Sequence, residues 1–253
     1  MKSKCFEKRS VVLSVLVLIL SLVRCAGGMN VFDSDAPRTL VEFEDALRGA
    51  EGGLRPDAPI DIAFAGKEKA WNIYFILAKV GKYVNLDLSV SSVTGFDNAI
   101  YPAGSGMIIS LVLPDNLTSI DSGSFMDWVR LTSVFMPPAL SRIGENAFRG
   151  CNGLTNISIP SGVTSIGNYA FSGCSALASI TIPSRVTSIG ANAFSSCEGL
   201  VSIIFEGSDT SIVDDSVFPS GANLRAATGG SGTGLYTPKD GAYRRQDATW
   251  WRT

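Results

Sequence analysis

The chain has 253 residues, of which 45% are hydrophobic and 17% are charged, and its formal net charge is −2. This composition is typical of a globular protein with one large domain, and the slightly acidic balance argues against nucleic acid as a partner. The sequence contains no histidine, which excludes histidine general bases, histidine-assisted nucleophiles and the commonest metal ligand. It also lacks a phosphate-binding loop and a dinucleotide-binding fingerprint, so no cofactor is expected.

Residues 1–24 are predicted to be a signal peptide. Basic residues precede an apolar run over 11–23 that is interrupted only by Ser14 and Ser21. These 13 residues are too few to span a bilayer, which takes about 20, and the pattern is typical of an export signal. We therefore expect an exported protein, at the cell surface or secreted.

The mature amino terminus has two possible forms. Residues 22–27 resemble a bacterial lipobox with Cys25 as the lipid acceptor, although Arg24 replaces the small residue that usually precedes the cysteine. The alternative is ordinary cleavage near residues 26–28, which releases a soluble protein. Contact with a membrane is therefore expected only through a lipid anchor at Cys25.

The segment after a flexible stem (25–37) is predicted to be an α/β cap over residues 38–83. Residues 39–48 have an N-cap threonine, early acidic residues and apolar spacings of three or four, which predicts a short helix. Residues 58–64 largely alternate in hydropathy, as a strand does, and residues 68–80 have the pattern of a second amphipathic helix. Such a cap would cover the otherwise exposed end of a repeat domain.

A 23-residue repeat organises the centre of the chain, residues 84–224. Leucine, isoleucine or valine, proline, alanine–phenylalanine and cysteine recur at fixed positions, and a period of this kind indicates a solenoid. The clearest columns are Leu131, Leu154, Leu177 and Leu200; Phe148, Phe171 and Phe194; and Cys151, Cys174 and Cys197.

Two looser copies precede these. The copy over 107–130 places Trp128 in the cysteine column. A first coil before it would place Leu88 and Val90 in register with Leu111 and Leu113, which follow them by 23 residues.

Each part of the repeat predicts a local structure. Leu-x-x-Ile-x-Ile-Pro alternates like a strand with one buried face, and proline ends the strand because it cannot donate to a ladder. Val-Thr-Ser-Ile-Gly predicts a second short extended piece. Ala-Phe-x-x-Cys suits a turn or 3₁₀ segment with phenylalanine and cysteine pointing inward. A single coil buries too little apolar surface to fold alone, so its neighbours must cover it.

This pattern, nearly complete over 131–199 and partial over 108–130 and 200–224, resembles the BspA-like leucine-rich repeats. These form the 23-residue class found on surface and secreted proteins of host-associated bacteria. The resemblance implies an α/β repeat fold: a single right-handed solenoid of about five to six coils with short parallel strands, a helical amino-terminal cap and a β-hairpin carboxy-terminal cap. Relatives of this class bind host matrix proteins or other bacteria, so the resemblance also implies adhesion.

The repeat decays after residue 200, and residues 225–253 are predicted to form the carboxy-terminal cap. Residues 235–237 and 242–244 have the pattern of a β-hairpin. Beyond them, Trp250 and Trp251 either cover the last coil or contact a ligand.

No catalytic or metal site is expected. The cysteine column could suggest disulfides or a metal, but buried thiols that fill space explain equally spaced inward cysteines better. The acidic pairs Asp33/Asp35 and Asp214/Asp215 are typical of solvated turns, with a weak calcium site at the first pair as a minor alternative. We therefore expect a protein that is not an enzyme.

The outward positions of the first strand in each coil form the candidate binding surface. They are nearly uncharged, and small hydroxyl residues dominate. An outward phenylalanine among them is typical of a binding anchor. The predicted partner-binding residues are Val112, Ser133, Phe135, Asn156, Ser158, Ser179, Thr181 and Ile204.

The sequence therefore predicts a non-enzymatic adhesin or protein-binding module for a host extracellular-matrix or cell-surface protein. One alternative is a structural surface component without a discrete ligand. Another is a carbohydrate-binding protein that uses Tyr236, Tyr243, Trp250 and Trp251. The oligomeric state is not predicted.

Overall fold

The computed structural model describes residues 36–94, 96, 106–207, 211–212, 217–218, 236–239 and 242–245. Several predictions concern residues outside these ranges: the signal peptide, Cys25, Asp33, Asp35, Asp214, Asp215, Trp250 and Trp251. Within the described ranges, none of the helices has the length and apolar character that a membrane span requires.

The amino-terminal segment begins with two helices and a strand. They are α1 (Leu40–Gly49), β1 (Ile60–Ala63) and α2 (Ala70–Val80). Thr39 caps α1 as predicted: its side chain accepts a hydrogen bond from the Glu42 amide, and the Glu42 carboxylate accepts one from the Thr39 amide, each at 3.2 Å. Hydrogen bonds from the backbone amides of Arg38 and Thr39 lower the pKa of Glu42. The two predicted helices and the strand are confirmed.

Charged and aromatic contacts join these elements. Lys79 on α2 and Arg48 on α1 contact the Glu44 carboxylate at 2.8 and 2.7 Å, and their hydrogen bonds lower the pKa of Glu44. Phe43 of α1 packs edge-to-face on Phe64 at 5.5 Å between ring centroids. The buried side of α1 is thereby fixed against the end of β1.

The coils contribute strands to two series. The first strands are β2 (Val84–Asp87), β3 (Ile108–Val112), β5 (Ser133–Phe135), β7 (Asn156–Ile157), β9 (Ser179–Ile182) and β11 (Ser202–Phe205). The second strands are β4 (Ser119–Ile120), β6 (Arg142–Ile143), β8 (Ser165–Ile166), β10 (Ser188–Ile189) and β12 (Ser211–Ile212).

All strands within these series are parallel. One sheet has the order β1-β2-β3-β5-β7, β9 pairs with β11, and the second strands form a sheet of order β12-β10-β8-β6-β4. A parallel-strand solenoid of about five to six coils was predicted, and the structure confirms one of about six. Its first strand is β1, so the amino-terminal segment contributes directly to the solenoid sheet.

Hydrogen bonds between equivalent residues hold the coils together. Backbone amides of Ser141, Thr164 and Thr187 each donate to the carbonyl 23 residues earlier, at 2.9 Å. The hydroxyls of the same three residues donate to the same carbonyls at 2.9–3.2 Å. Each coil therefore depends on its neighbour for backbone pairing.

Phenylalanine rings form a continuous stack in the core. Phe148, Phe171 and Phe194 are fully buried, and consecutive rings lie 5.4 Å apart with planes within 4° of each other. Phe125 and Phe218 extend the stack at its two ends. Phe218 lies one position beyond the regular interval, since the repeat would place this ring at residue 217.

The predicted alignment of the first coil is wrong. Leu86, not Leu88, pairs with Leu111, a separation of 25 residues. The separation is already 24 residues at the pair of Val84 and Ile108, and the register shift between Val84 and Asn85 adds one more. Leu88 donates its amide to the Val112 carbonyl and is buried, and Val90 is 50% exposed. Val84, Leu86 and Leu88 alternate along the chain and all three point inward. The chain from Leu86 to its partner Leu111 on β3 is therefore longer than one 23-residue repeat.

The carboxy-terminal hairpin is confirmed. Strands β13 (Tyr236–Lys239) and β14 (Ala242–Arg245) pair antiparallel.

Candidate partner-binding face

The outward side chains of the first strands lie in two rows, which we call the strand face. The upper row contains Ser110, Ser133 and Asn156 on paired strands, and Ser179 and Ser202 on the next pair. The lower row contains Val112 and Phe135, then Ser158, followed by Thr181 and Ile204. The structure thus places every predicted partner-binding residue on the strand face.

Phe135 is the most prominent apolar residue of this face. Its side chain is 48% exposed, whereas its neighbours Val134 and Met136 point into the core and are buried. Val112 is its direct partner on β3 and is partly exposed. Strand alternation therefore forces this ring outward, where it stands among serine and asparagine side chains.

The strand face consists of two ladders among the described strands. One ends at β7, and the other contains β9 and β11. Phe135, Val112, Ser133 and Asn156 belong to the first ladder, whereas Thr181 and Ile204 belong to the second. Phe135 and Ile204 are consequently not held by one continuous set of backbone hydrogen bonds.

The face also extends further towards the amino terminus than the sequence predicted. The Asn85 side-chain amide donates to Asp61 Oδ1 at 2.8 Å, and the Ser110 hydroxyl donates to Asn85 Oδ1 at 2.9 Å. Asp61 pairs with Asn85 across β1 and β2, and Asn85 pairs with Ser110. The upper row therefore begins at Asp61, and the alternation of residues 60–63 and 84–87 was the available signal.

The cysteine column has the expected structural role. Cys151, Cys174 and Cys197 are free and fully buried, and their thiols donate to backbone carbonyls at 3.0–3.2 Å. Burial raises the pKa of Cys151 to about 12. The Cys151 thiol is consequently a poor nucleophile at neutral pH. In the ranges that the structure covers, no group of three or more histidine, cysteine, aspartate or glutamate residues could hold a metal ion.

Parallel strands stacked at a constant interval around a ladder of leucine, isoleucine and phenylalanine define a leucine-rich repeat solenoid. Residues 103–225 match the BspA type leucine rich repeat region in six copies, and this part of the chain belongs to that family.

Three solved structures are similar to the chain. A leucine-rich repeat protein of T. pallidum is 31% identical over 46% of this chain and 56% of its own, with a TM-score of 0.44. A leucine-rich repeat protein from Bacteroides ovatus is 26% identical over 49% of this chain and 38% of its own, with a TM-score of 0.41. A leucine rich cell surface protein from Faecalibacterium prausnitzii is 22% identical over 68% of this chain and 52% of its own, with a TM-score of 0.48. The chain thus spans about 38–56% of the length of these proteins. No curated protein matches the chain.

Proposed function

We propose that the chain is an exported, non-enzymatic protein that binds a protein partner through the strand face. The observation that carries this proposal is the half-exposed Phe135, which stands on a flat surface of small uncharged side chains. About half of this ring is left in water, so it contributes less to the fold than a buried ring does. Covering the ring in a complex removes apolar surface from water, and aromatic residues are enriched among those that dominate binding energy.

The partner is a host extracellular-matrix or cell-surface protein, and the chain acts at the cell surface or after secretion. The family resemblance and the predicted signal peptide over residues 1–24 support this part of the proposal. A lipid at Cys25 would hold the protein at the membrane. Palmitate labelling in the native host, compared between the natural chain and a Cys25→Ala variant, tests this attachment.

The binding experiment uses the exported protein immobilised as bait for host matrix and serum proteins, with mass spectrometry of what is retained. Affinity for a retained protein is then measured with Phe135→Ala and with Ile204→Ala. Truncating a residue that dominates an interface costs more than about 1 kcal/mol, so we expect Phe135→Ala to weaken binding at least about fivefold.

The matched control is Phe75→Ala. Phe75 is 65% exposed but lies on α2, outside the strand face, so its removal should leave the affinity unchanged. Equal affinities for the natural chain and both strand-face variants would move the binding site to another surface.

A further inference from the structure

We propose that the partner contributes an extended segment that crosses the strands, with a basic side chain at Asp61 and an apolar side chain at Phe135. This inference rests on the proposed function of the strand face. Its starting point is the hydrogen-bonded row formed by Asp61, Asn85 and Ser110. Because register continues this row to Ser133 and Asn156, the carboxylate and the aromatic ring belong to one surface.

Asp61 is the exposed charge of this surface. Its side chain accepts a neutral hydrogen bond from Asn85, and within the described residues its carboxylate makes no ion pair. Asp87, in the lower row, is only 7% exposed and accepts a hydrogen bond from the Ser89 amide at 2.8 Å. The strand-face residues from Ser110 to Ile204 are uncharged. A partner that covers the whole face therefore gains electrostatically from one cationic group at the amino-terminal end, and an anionic partner is repelled there.

The spacing of the two anchors defines the ligand. Phe135 is on β5, three strands from β1, and lies two residues along β5 from Ser133, which continues the row of Asp61. With strands about 4.8 Å apart and about 3.4 Å per residue along a strand, the anchors are separated by about 16 Å. An extended chain advances about 3.4 Å per residue, so four residues cover about 14 Å, and the long flexible side chain of a lysine or arginine covers the rest. Side chains four residues apart in an extended segment point to the same side. A lysine or arginine four residues from an apolar residue therefore reaches both anchors.

The residues between the anchors suit the backbone of such a segment. Asn85 and Ser110 lie on the two strands between those of Asp61 and Phe135, and Ser133 lies beside Phe135 on β5. Their amide and hydroxyl groups can donate to or accept from peptide groups without demanding a particular side chain. Specificity would then come from the charge at one end and the apolar residue at the other.

The test is selection of a phage-displayed library of random 12-residue peptides on the immobilised full chain. We expect enriched peptides to contain a lysine or arginine four residues from an apolar residue, several-fold above the library frequency. Asp61→Asn keeps an oxygen that accepts from Asn85 but removes the charge. This variant should capture the enriched peptides about two- to fivefold less well, and the difference should shrink at high salt. Asp121→Asn, an exposed carboxylate next to the second sheet, is the control and should have no effect.

The outcomes separate the two proposals. Peptides that require Phe135 but show no basic preference, and bind Asp61→Asn as well as the natural chain, overturn this inference and leave the function of the face intact. If no peptide is enriched, or if enriched peptides bind equally to the Phe135→Ala variant, both the inference and the use of this face are overturned.

Discussion

Replacing Phe171 with alanine tests whether the stacked rings stabilise the solenoid. Phe171 is fully buried in a central coil, and its ring lies 5.4 Å from both Phe148 and Phe194 with nearly parallel planes. Truncation of a buried phenylalanine to alanine typically costs about 3–5 kcal/mol, and this ring loses partners on both sides. We therefore expect a loss of about 4 kcal/mol. This is a large share of the stability of a typical domain, which is about 5–15 kcal/mol in total.

Urea unfolding followed by far-ultraviolet circular dichroism measures this loss. The matched control is Phe135→Ala, the same substitution at a half-exposed position one coil away, where the expected change is within about 1 kcal/mol. The Phe171→Ala curve can also divide into two transitions, because a weakened central coil uncouples the coils on either side. A loss below about 1 kcal/mol at Phe171, or equal losses for both variants, would refute the stacked-core argument.

Three further substitutions probe other parts of the coil. A Cβ on Gly167 would lie 2.5 Å from the Glu145 amide nitrogen, so Gly167→Ala should lower stability by about 1–3 kcal/mol in thermal unfolding. The control is Gly49→Ala, whose added Cβ would have no atom within 4 Å and which should not lower stability. Tyr169 has φ 54°, a conformation that asparagine tolerates better, so Tyr169→Asn should raise the free energy of unfolding by about 1 kcal/mol. Burial raises the pKa of Cys151 from 9.0 to about 12. The unfolded chain releases this proton at a lower pH than the folded chain does, so rising pH favours unfolding. The natural protein should therefore lose stability between pH 9 and pH 12 more steeply than the Cys151→Ala variant does. Urea titrations at several pH values will check this.

The repeat made most of the solenoid predictable from the sequence. Residues 23 positions apart occupy equivalent environments, so one aligned column predicts the burial of a whole set, such as Phe148, Phe171 and Phe194. Alternation within the first strand likewise predicted that Phe135 points outward. These inferences depend only on local periodicity, which the sequence displays directly.

Features that depend on pairing between dissimilar segments were not predictable in the same way. The register shift between Val84 and Asn85 lies outside the regular copies, so the 23-residue interval misaligned Leu88. The membership of β1 in the solenoid sheet was missed for the same reason, and with it the position of Asp61 on the strand face. Nothing in the repeat pattern indicated that β7 and β9 would belong to separate ladders.

The constant 23-residue offset of the hydrogen bonds between coils also bears on how such a chain can evolve. A tandem duplication of residues 154–176 would insert one more coil whose upper and lower surfaces match those of its neighbours. Both ends of the molecule would keep their original contacts. The strand face would lengthen by one strand, about 4.8 Å, and the interval between its charged end and its far apolar end would grow by the same step. Recombination in whole units can thus adjust the reach of the surface without redesigning the core.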